Sequence, residues 1–460
     1  MQLLDLITIF IFALGIVIMG LSFSGKGRNM KSFFAAGGAV PWAMSGLSLF
    51  MGFFSAGTFV VWGSIAYSLG WIAISIQWTM AIAGFVVGFF IAPRWHKTSA
   101  LTVAEYITRR LGVNTQKTYT YLFLFISLFT TGSFLYPVAK IVEVSTGMPL
   151  DLCILLLGGF CIVYVAAGGL WAVVSTDVLQ FIILTAAVLI VVPLSFGRVG
   201  GVVNFIESIP ATYFNLVNGE YTIGFIIAFG VYNAIFLGGN WAYVQRYASV
   251  NSQSSARKVG FLFGGLYVVS AVLWMLPPMI YRIVNPSLST IDAEGAYLMM
   301  CKEVLPAGLL GLMLSGMVFA TASSLNATLN ISSGVVTNDI FKRLFPQSSD
   351  KTLMRVARIS TIIFGLLAII VALLIPLMGG IVNVVISVAA LTGVPLYLPI
   401  IWTLFSKRQT EYSVITTTLV SLGANAFFKF ITPLWGFGFN RAEEMIVGVA
   451  FPVFCLIAFE

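Results

Sequence analysis

Charge is what this chain of 460 residues has least of: Asp, Glu, Lys and Arg make up 9% of it, where a soluble globular domain carries about 25%. Hydrophobic residues make up 59% and the mean hydropathy is +1.01, which excludes a water-soluble globule. Histidine is almost absent. The single one, His96, excludes haem ligation by paired histidines and an intramembrane Ser–His protease. No GxxxxGK[ST] phosphate loop occurs, so pumping driven by that ATP-binding module is out. The four cysteines (153, 161, 301 and 455) lack metal-ligand spacing and read as small core residues, with no disulfide suggested. No nucleophile–base pair or metal cluster stands out, so an enzyme is not expected. Linkers rich in Pro or Ser are missing too, as is any soluble segment of domain size. Function therefore has to reside inside a helical bundle.

The chain is instead a run of apolar segments, each near the ~20 residues that a helical membrane crossing needs. Thirteen are predicted, at about 3–23, 41–67, 71–92, 118–145, 150–169, 176–197, 222–244, 258–283, 306–334, 354–377, 380–405, 412–430 and 444–459, with a surface helix from Ala104 to Leu111. The net charge of +8 then resolves into topology. Lys26, Arg28 and Lys31 follow the first segment, and Arg94, Lys97, Arg109, Arg110 and Lys117 the third. Arg246, Arg257 and Lys258 follow the seventh, then come Lys342, Arg343, Lys351, Arg355 and Arg358, and finally Lys407 and Arg408. These alternate loops hold 18 of the 24 basic residues. The positive-inside rule puts the N-terminus outside and the C-terminus in the cytoplasm, and the basicity is no nucleic-acid patch. The first segment, flanked by Asp5 and without a cleavage site, reads as a retained helix rather than a signal.

Two segments carry interruptions at mid-depth. The second holds Gly52, Ser55, Gly57 and Thr58; the seventh holds Gly230 to Asn233 and then Gly238, Gly239 and Asn240. Lipid offers no hydrogen-bond partners, so backbone unwinds there only where it lines a cavity or binds something. Paired broken helices at the head of two halves point to a secondary transporter with inverted repeats. Glycine alone would equally serve close helix packing.

On the ninth segment Ala320, Ser323, Ser324 and Ala327 share one stripe, continued by Asn326 and Asn330. Such hydroxyls commonly bond back to their own helix. Facing freed carbonyls, they would instead form a hard, neutral cage suited to Na+, with no carboxylate cluster for a divalent ion. Asp177, Lys140 and Glu143 are the ionisable residues near membrane depth, where charge is a functional candidate by default. Asp177, after Ser175 and Thr176, suits a helix cap as well as ion coupling. Lys140 suits snorkelling or pairing with Glu143 as well as ligand contact.

Four stretches resemble the sodium/solute symporter family, which includes sodium-coupled proline, pantothenate, sialic acid, sugar and iodide carriers. They are FFAAGGAVPWAMSGLSLFMGFFSAGTFVVWGSIAYSLGW (33–71), AGGLWAVVSTDVLQF (167–181), NWAYVQRYAS (240–249) and ATASSLNATLNISSGVVTNDIF (320–341). The second is similar to the family pattern GGLxAVxxTDxxQ. The resemblance implies an all-α integral membrane protein of the LeuT-like fold: one transporter domain over 1–460, with an extra helix at 3–23, repeats at 41–197 and 222–405, and two extra helices within 412–459.

It further implies Na+ as coupling ion and no other cofactor. Carried over by position, the sodium site would use backbone oxygens of Met51, Phe54 and Ala320 and the hydroxyls of Ser323 and Ser324, supported by Asp177. The hydroxyls that accompany a second sodium in some members are replaced by Asn326 and Ala327 here. The pocket would be lined by Phe53, Gly57, Thr58, Gln77, Asn233 and Phe236, with Lys140 assisting. The sugar-carrying branch has hydrogen-bonding groups at several of these positions, which argues against a hexose. The implied activity is sodium-coupled import of a small organic acid or amino acid by alternating access. A proton-coupled carrier on the same fold, and a sugar or sugar-acid carrier, remain as alternatives. The expected setting is the plasma membrane, with lipid, solute and Na+ as partners and a monomer as the working unit.

Overall fold

The computed structural model describes residues 2–24, 40–100, 102–164 and 170–460, and within its helices a number of side chains, among them those of Ser323, Asn326, Ala327 and Asn330, fall outside that description. Lys26, Arg28, Lys31 and parts of the first two family-like stretches also lie outside the described residues. The fold is helical, with no strand among the described residues. We label the main helices α1 (Leu3–Ser24), α2 (Trp42–Met51), α3 (Thr58–Leu69), α4 (Trp71–Lys97), α5 (Val103–Leu111), α6 (Val113–Thr146), α7 (Leu150–Tyr164) and α8 (Leu170–Arg198). After them come α9 (Ile223–Gly239), α10 (Trp241–Ala248), α11 (Gln253–Val284), α12 (Ala296–Val304), α13 (Leu309–Val335), α14 (Asp350–Leu374), α15 (Ile381–Trp402), α16 (Glu411–Phe430) and α17 (Arg441–Phe459).

The described part of every predicted segment is largely helix. Yet the described helices long and apolar enough to cross a membrane number seven, or eight when α9 and α10 count as one bent span. The break at 52–55 divides the second predicted segment into α2 and α3, each too short to span by itself. The helix starts are written locally. Thr222, Ser252 and Ser349 cap α9, α11 and α14 by accepting the amides of Phe225, Ser255 and Thr352. Thr410 with Ser413 and Asn440 with Glu443 form reciprocal capping boxes at α16 and α17. The loops before α9 and α13 are not plain coil: Val202–Ser208 and α12 are helical.

Small residues set how closely the helices approach. Gly84 and Gly88 on α4 face Gly264 and Gly260 on α11. A Cβ at Gly260 would sit 2.6 Å from the Gly88 Cα, and one at Gly84 would sit 2.8 Å from the Gly264 Cα. Two glycines four apart on each helix thus bring the backbones into contact, the small-residue packing used where apolar lipid gives no hydrophobic drive. This contact fixes α4 and α11 as a wall beside α2, which packs against α8 and α11.

Candidate functional site

The first interruption lies where glycine and serine displace apolar residues. α2 ends at Met51, the chain turns through Gly52 to Ser55, and helix resumes at Ala56 before a π-helical turn at Thr58–Trp62. Single π-turns of this kind are frequent at functional positions. The Thr58 hydroxyl donates to the carbonyl of Phe53 inside the break. The amide of Ala56 donates to Thr321 Oγ1 on α13 at 2.9 Å. The break is thereby seated against α13 one residue from Ala320. Met51, Phe54 and Ala320 are all buried, and Ser324 is half-buried.

The second interruption differs from expectation. Helix runs unbroken through Gly230 to Asn233 and stops only at Gly239, after which α10 leaves at 60°. Gly230 lies within this helix beside Thr79 on α4, where a Cβ would make an ordinary contact at 3.6 Å. Asn240 makes the corner, and its Oδ1 accepts the amide of Ala242 at 3.0 Å to start α10.

Asp177 is also placed differently. α8 begins at Leu170, so Asp177 lies inside the helix and the capping reading falls away. Its Oδ2 accepts the Ser48 hydroxyl at 2.5 Å, three residues before Met51. Ser48 Oγ in turn accepts Arg246 Nε at 3.4 Å, and Arg246 Nη1 donates to the carbonyl of Ala242 at 2.8 Å. Arg246, counted from sequence as a loop charge, sits within α10. A carboxylate, a hydroxyl and a guanidinium thus connect α8, α2 and α10, with opposite charges balancing each other beside the sodium candidates. Nothing in the local pattern singles out Ser48, because its partner is 129 positions away.

The pocket candidates separate into groups. Phe53 and Phe236 meet edge to face at 6.5 Å. Tyr243, Phe263 and Tyr267 complete a ring around Phe53, at 5.0, 5.3 and 6.2 Å. Sequence reasoning misses those three rings, although Tyr243 lies in the NWAYVQRYAS stretch. Asn233 Nδ2 donates to Thr79 Oγ1 at 2.8 Å. Gln77 is buried with its Nε2 unpartnered; two residues on a helix are about 200° of rotation, so it is turned away from the Thr79–Asn233 pair. Gly57 has open space, the nearest atom to a Cβ being Ser55 Oγ at 3.7 Å.

Lys140 joins none of these. It pairs with Glu143 at 2.8 Å and lines a small cleft with Phe59, Val60, Glu294, Tyr297 and Met317. Glu294 fastens this region. It accepts the Tyr136 hydroxyl at 2.7 Å and the amide of Ile381 at 3.0 Å. Gly380, at φ +88°, lets it come close, since a Cβ would lie 2.7 Å from Glu294 Oε1. Burial raises the Glu294 carboxyl above its ordinary range, while the bonds from Tyr136 and Ile381 and the charge of Lys140 pull it back.

Two broken helices, a buried hydroxyl on a crossing helix and an internal carboxylate are the features of a membrane transporter. Residues 33–420 match the profile of the sodium:solute symporter family, and the chain belongs to that family. It is 28% identical to a sodium/glucose cotransporter of Vibrio parahaemolyticus, over 93% of this chain and 86% of the relative. It is 25% identical to solute carrier family 5 member 4B of Mus musculus, over 98% and 76%. Among solved structures, a Na+-coupled sialic acid symporter in a substrate-bound outward-open state superposes with TM-score 0.81 at 21% identity, covering 99% of this chain and 96% of that one. The fold is LeuT-like.

Proposed function

We propose that the protein couples the inward gradient of Na+ to import of a small organic acid or amino acid by alternating access across the plasma membrane, with its N-terminus outside. One observation carries this reading: the break at 52–55 is seated on α13 beside Ala320 through the Ala56–Thr321 hydrogen bond. Carbonyls freed at Met51 and Phe54, with Ala320 and the hydroxyls of Ser323 and Ser324, supply oxygens from two elements that must meet to hold the ion. Asp177, fixed by Ser48, adds negative charge nearby. Each Na+ moving inward gains about 2.3 kcal/mol per 100 mV of membrane potential. Linkage requires that the solute tighten sodium binding by the same factor that sodium tightens the solute.

The solute would lie at the aromatic ring around Phe53 and Phe236, with Thr58, Gly57 and Asn233 as neighbours, and Gln77 would take part only from the other side of α4. Helix ends at the breaks favour a carboxylate, and Lys140 would receive one at the outer approach by exchanging its partner Glu143. The pairing of 41–197 with 222–405 as inverted repeats belongs to this reading, as do a single functional subunit and one sodium per cycle.

A second reading has a specific observation behind it: the curated relatives include sodium/glucose and sodium/myo-inositol cotransporters. Against it stand Phe53 and Phe236, rings where a polyol needs hydrogen-bond partners. Uptake into proteoliposomes under a NaCl or KCl gradient decides between them. Sodium-driven accumulation of an amino acid or carboxylate supports the first reading. Accumulation of glucose or inositol alone overturns its solute assignment, and accumulation driven only by a proton gradient overturns sodium coupling.

A further inference from the structure

Thr321 stands one residue after Ala320 and is fully buried, with 0% exposure. Its hydroxyl is used twice. It donates to the carbonyl of Met317 one turn back, at 2.8 Å, and accepts the amide of Ala56 at 2.9 Å, across 265 positions of sequence. The second bond has a particular origin. Ala56 opens the helix after the break, and the first amides of a helix have no partner within it. Ala56 is itself 0% exposed, so water does not reach that amide. The neighbouring Thr58 amide is served locally by the carbonyl of Ser55; Ala56 is served from another helix.

We infer that Thr321 is a positioning residue that holds the first broken helix in its sodium-competent arrangement, by giving the buried Ala56 amide an acceptor only when the break lies against α13. The inference rests on the sodium-site reading above and deepens it. Sodium would draw its ligands from these same two elements, so the ion and the Thr321 bond favour one arrangement. A ligand's apparent affinity falls with the fraction of protein in the competent arrangement. Removing the Thr321 oxygen leaves a buried amide unpartnered whenever the break is seated, which lowers that fraction. Ser323 and Ser324 would act on the ion directly; Thr321 acts on the backbone that presents the other ligands.

The test uses full-length protein in detergent, with Thr321→Val, Thr321→Ala and Thr321→Ser. Valine keeps the shape and loses the acceptor, alanine loses both, and serine keeps the acceptor. Hydrogen exchange of the segment covering Ala56 is followed in sodium-free buffer, and the NaCl midpoint of thermal stabilisation is measured in parallel. The expected result is exchange at Ala56 about tenfold faster in the Val and Ala variants, near wild type in Ser. The NaCl midpoint would rise by about tenfold, equivalent to about 1.4 kcal/mol, in the same two variants. Unchanged exchange at Ala56 in Thr321→Val, or a serine variant as impaired as valine, overturns the inference. If wild type shows no sodium-specific stabilisation, the sodium-site reading fails, while the exchange comparison still decides whether Thr321 holds the break.

Discussion

Asp5, on the helix that precedes both broken halves, offers a quantitative test of how α13 is anchored. Its side chain is 1% exposed. One oxygen accepts the amides of Gly308 at 2.7 Å and Gly311 at 3.1 Å, and the other accepts the amide of Gln2 at 2.8 Å. Gly308 and Gly311 lie at the start of α13, so a carboxylate from α1 satisfies two of the amides that a helix start leaves open. It also places negative charge at the positive end of the helix dipole. Leaving a buried amide without its partner costs about 1–3 kcal/mol. Asp5→Ala strands two, so the expected loss is about 2–6 kcal/mol. Asp5→Asn keeps an acceptor and gives up the charge, for an expected loss of about 1 kcal/mol. Ala320 lies about 18 Å further along α13 at 1.5 Å per residue, and well-separated sites are close to independent. The sodium midpoint should therefore move by less than about twofold while stability falls. Equilibrium unfolding in mixed micelles measures the loss, and NaCl titration measures the midpoint. Asp5→Ala with wild-type stability would refute the anchoring role. Lost stability with a large midpoint shift would show that the start of α13 and the sodium candidates are not independent.

Other expectations arise from the same geometry. The Glu294 carboxyl titrates above its ordinary value because of burial. Just above pH 4.5 the folded protein therefore holds a proton that the unfolded chain has released, and stability falls as pH rises through that window. Glu294→Gln should flatten that slope in unfolding curves recorded between about pH 4 and 7; an unaltered slope would assign it to another group. Gly448→Ala should cost about 1–3 kcal/mol, because a Cβ would lie 2.4 Å from the carbonyl oxygen of Ala390, while Gly265→Ala, with no atom within 4 Å, should be neutral or stabilising by up to about 1 kcal/mol. Thermal melts of both variants check the contrast, and equal melting temperatures would contradict it. Asp177→Asn keeps an acceptor for Ser48 but leaves Arg246 without its counter-charge; sodium-driven uptake should drop at least about tenfold with expression retained. An unchanged sodium dependence would remove Asp177 from the coupling machinery.

Local features are the readable ones. Gly52, Ser55 and Gly57 stand out against apolar flanks, so the first break can be placed from sequence. The second is harder, because Gly230 and Gly238 look alike in one dimension. A Cβ at Gly230 would make only an ordinary contact with Thr79 and one at Gly238 would press on Ile91, while the corner itself falls to Asn240, whose side chain caps α10. Asp177 resembles a cap because Ser175 and Thr176 precede it, yet helix has already begun at Leu170. The Asp177–Ser48–Arg246 chain, the aromatic ring around Phe53 and the Ala56–Thr321 bond join residues far apart in sequence. Neither periodicity nor composition encodes such meetings. Lys140 shows the reverse: its partner Glu143 is one turn away, and an i,i+3 pair is legible. Hydropathy locates the helical segments well, and it is the break at 52–55 and the corner at Asn240 that it does not resolve.

Sodium recognition where the first break meets α13 underlies the whole functional reading, and thermal stability in equal concentrations of NaCl, KCl and choline chloride tests it without knowing the solute. A ligand that binds only the folded protein stabilises it by RT ln(1 + [L]/Kd), which for a site of ~1 mM at ~100 mM salt is about 2.7 kcal/mol. The expected outcome is a rise in NaCl alone for the wild-type protein and its loss in Ser323→Ala. Superimposable curves in all three salts, or a sodium rise that survives Ser323→Ala intact, would contradict sodium recognition at this place and turn attention to proton coupling.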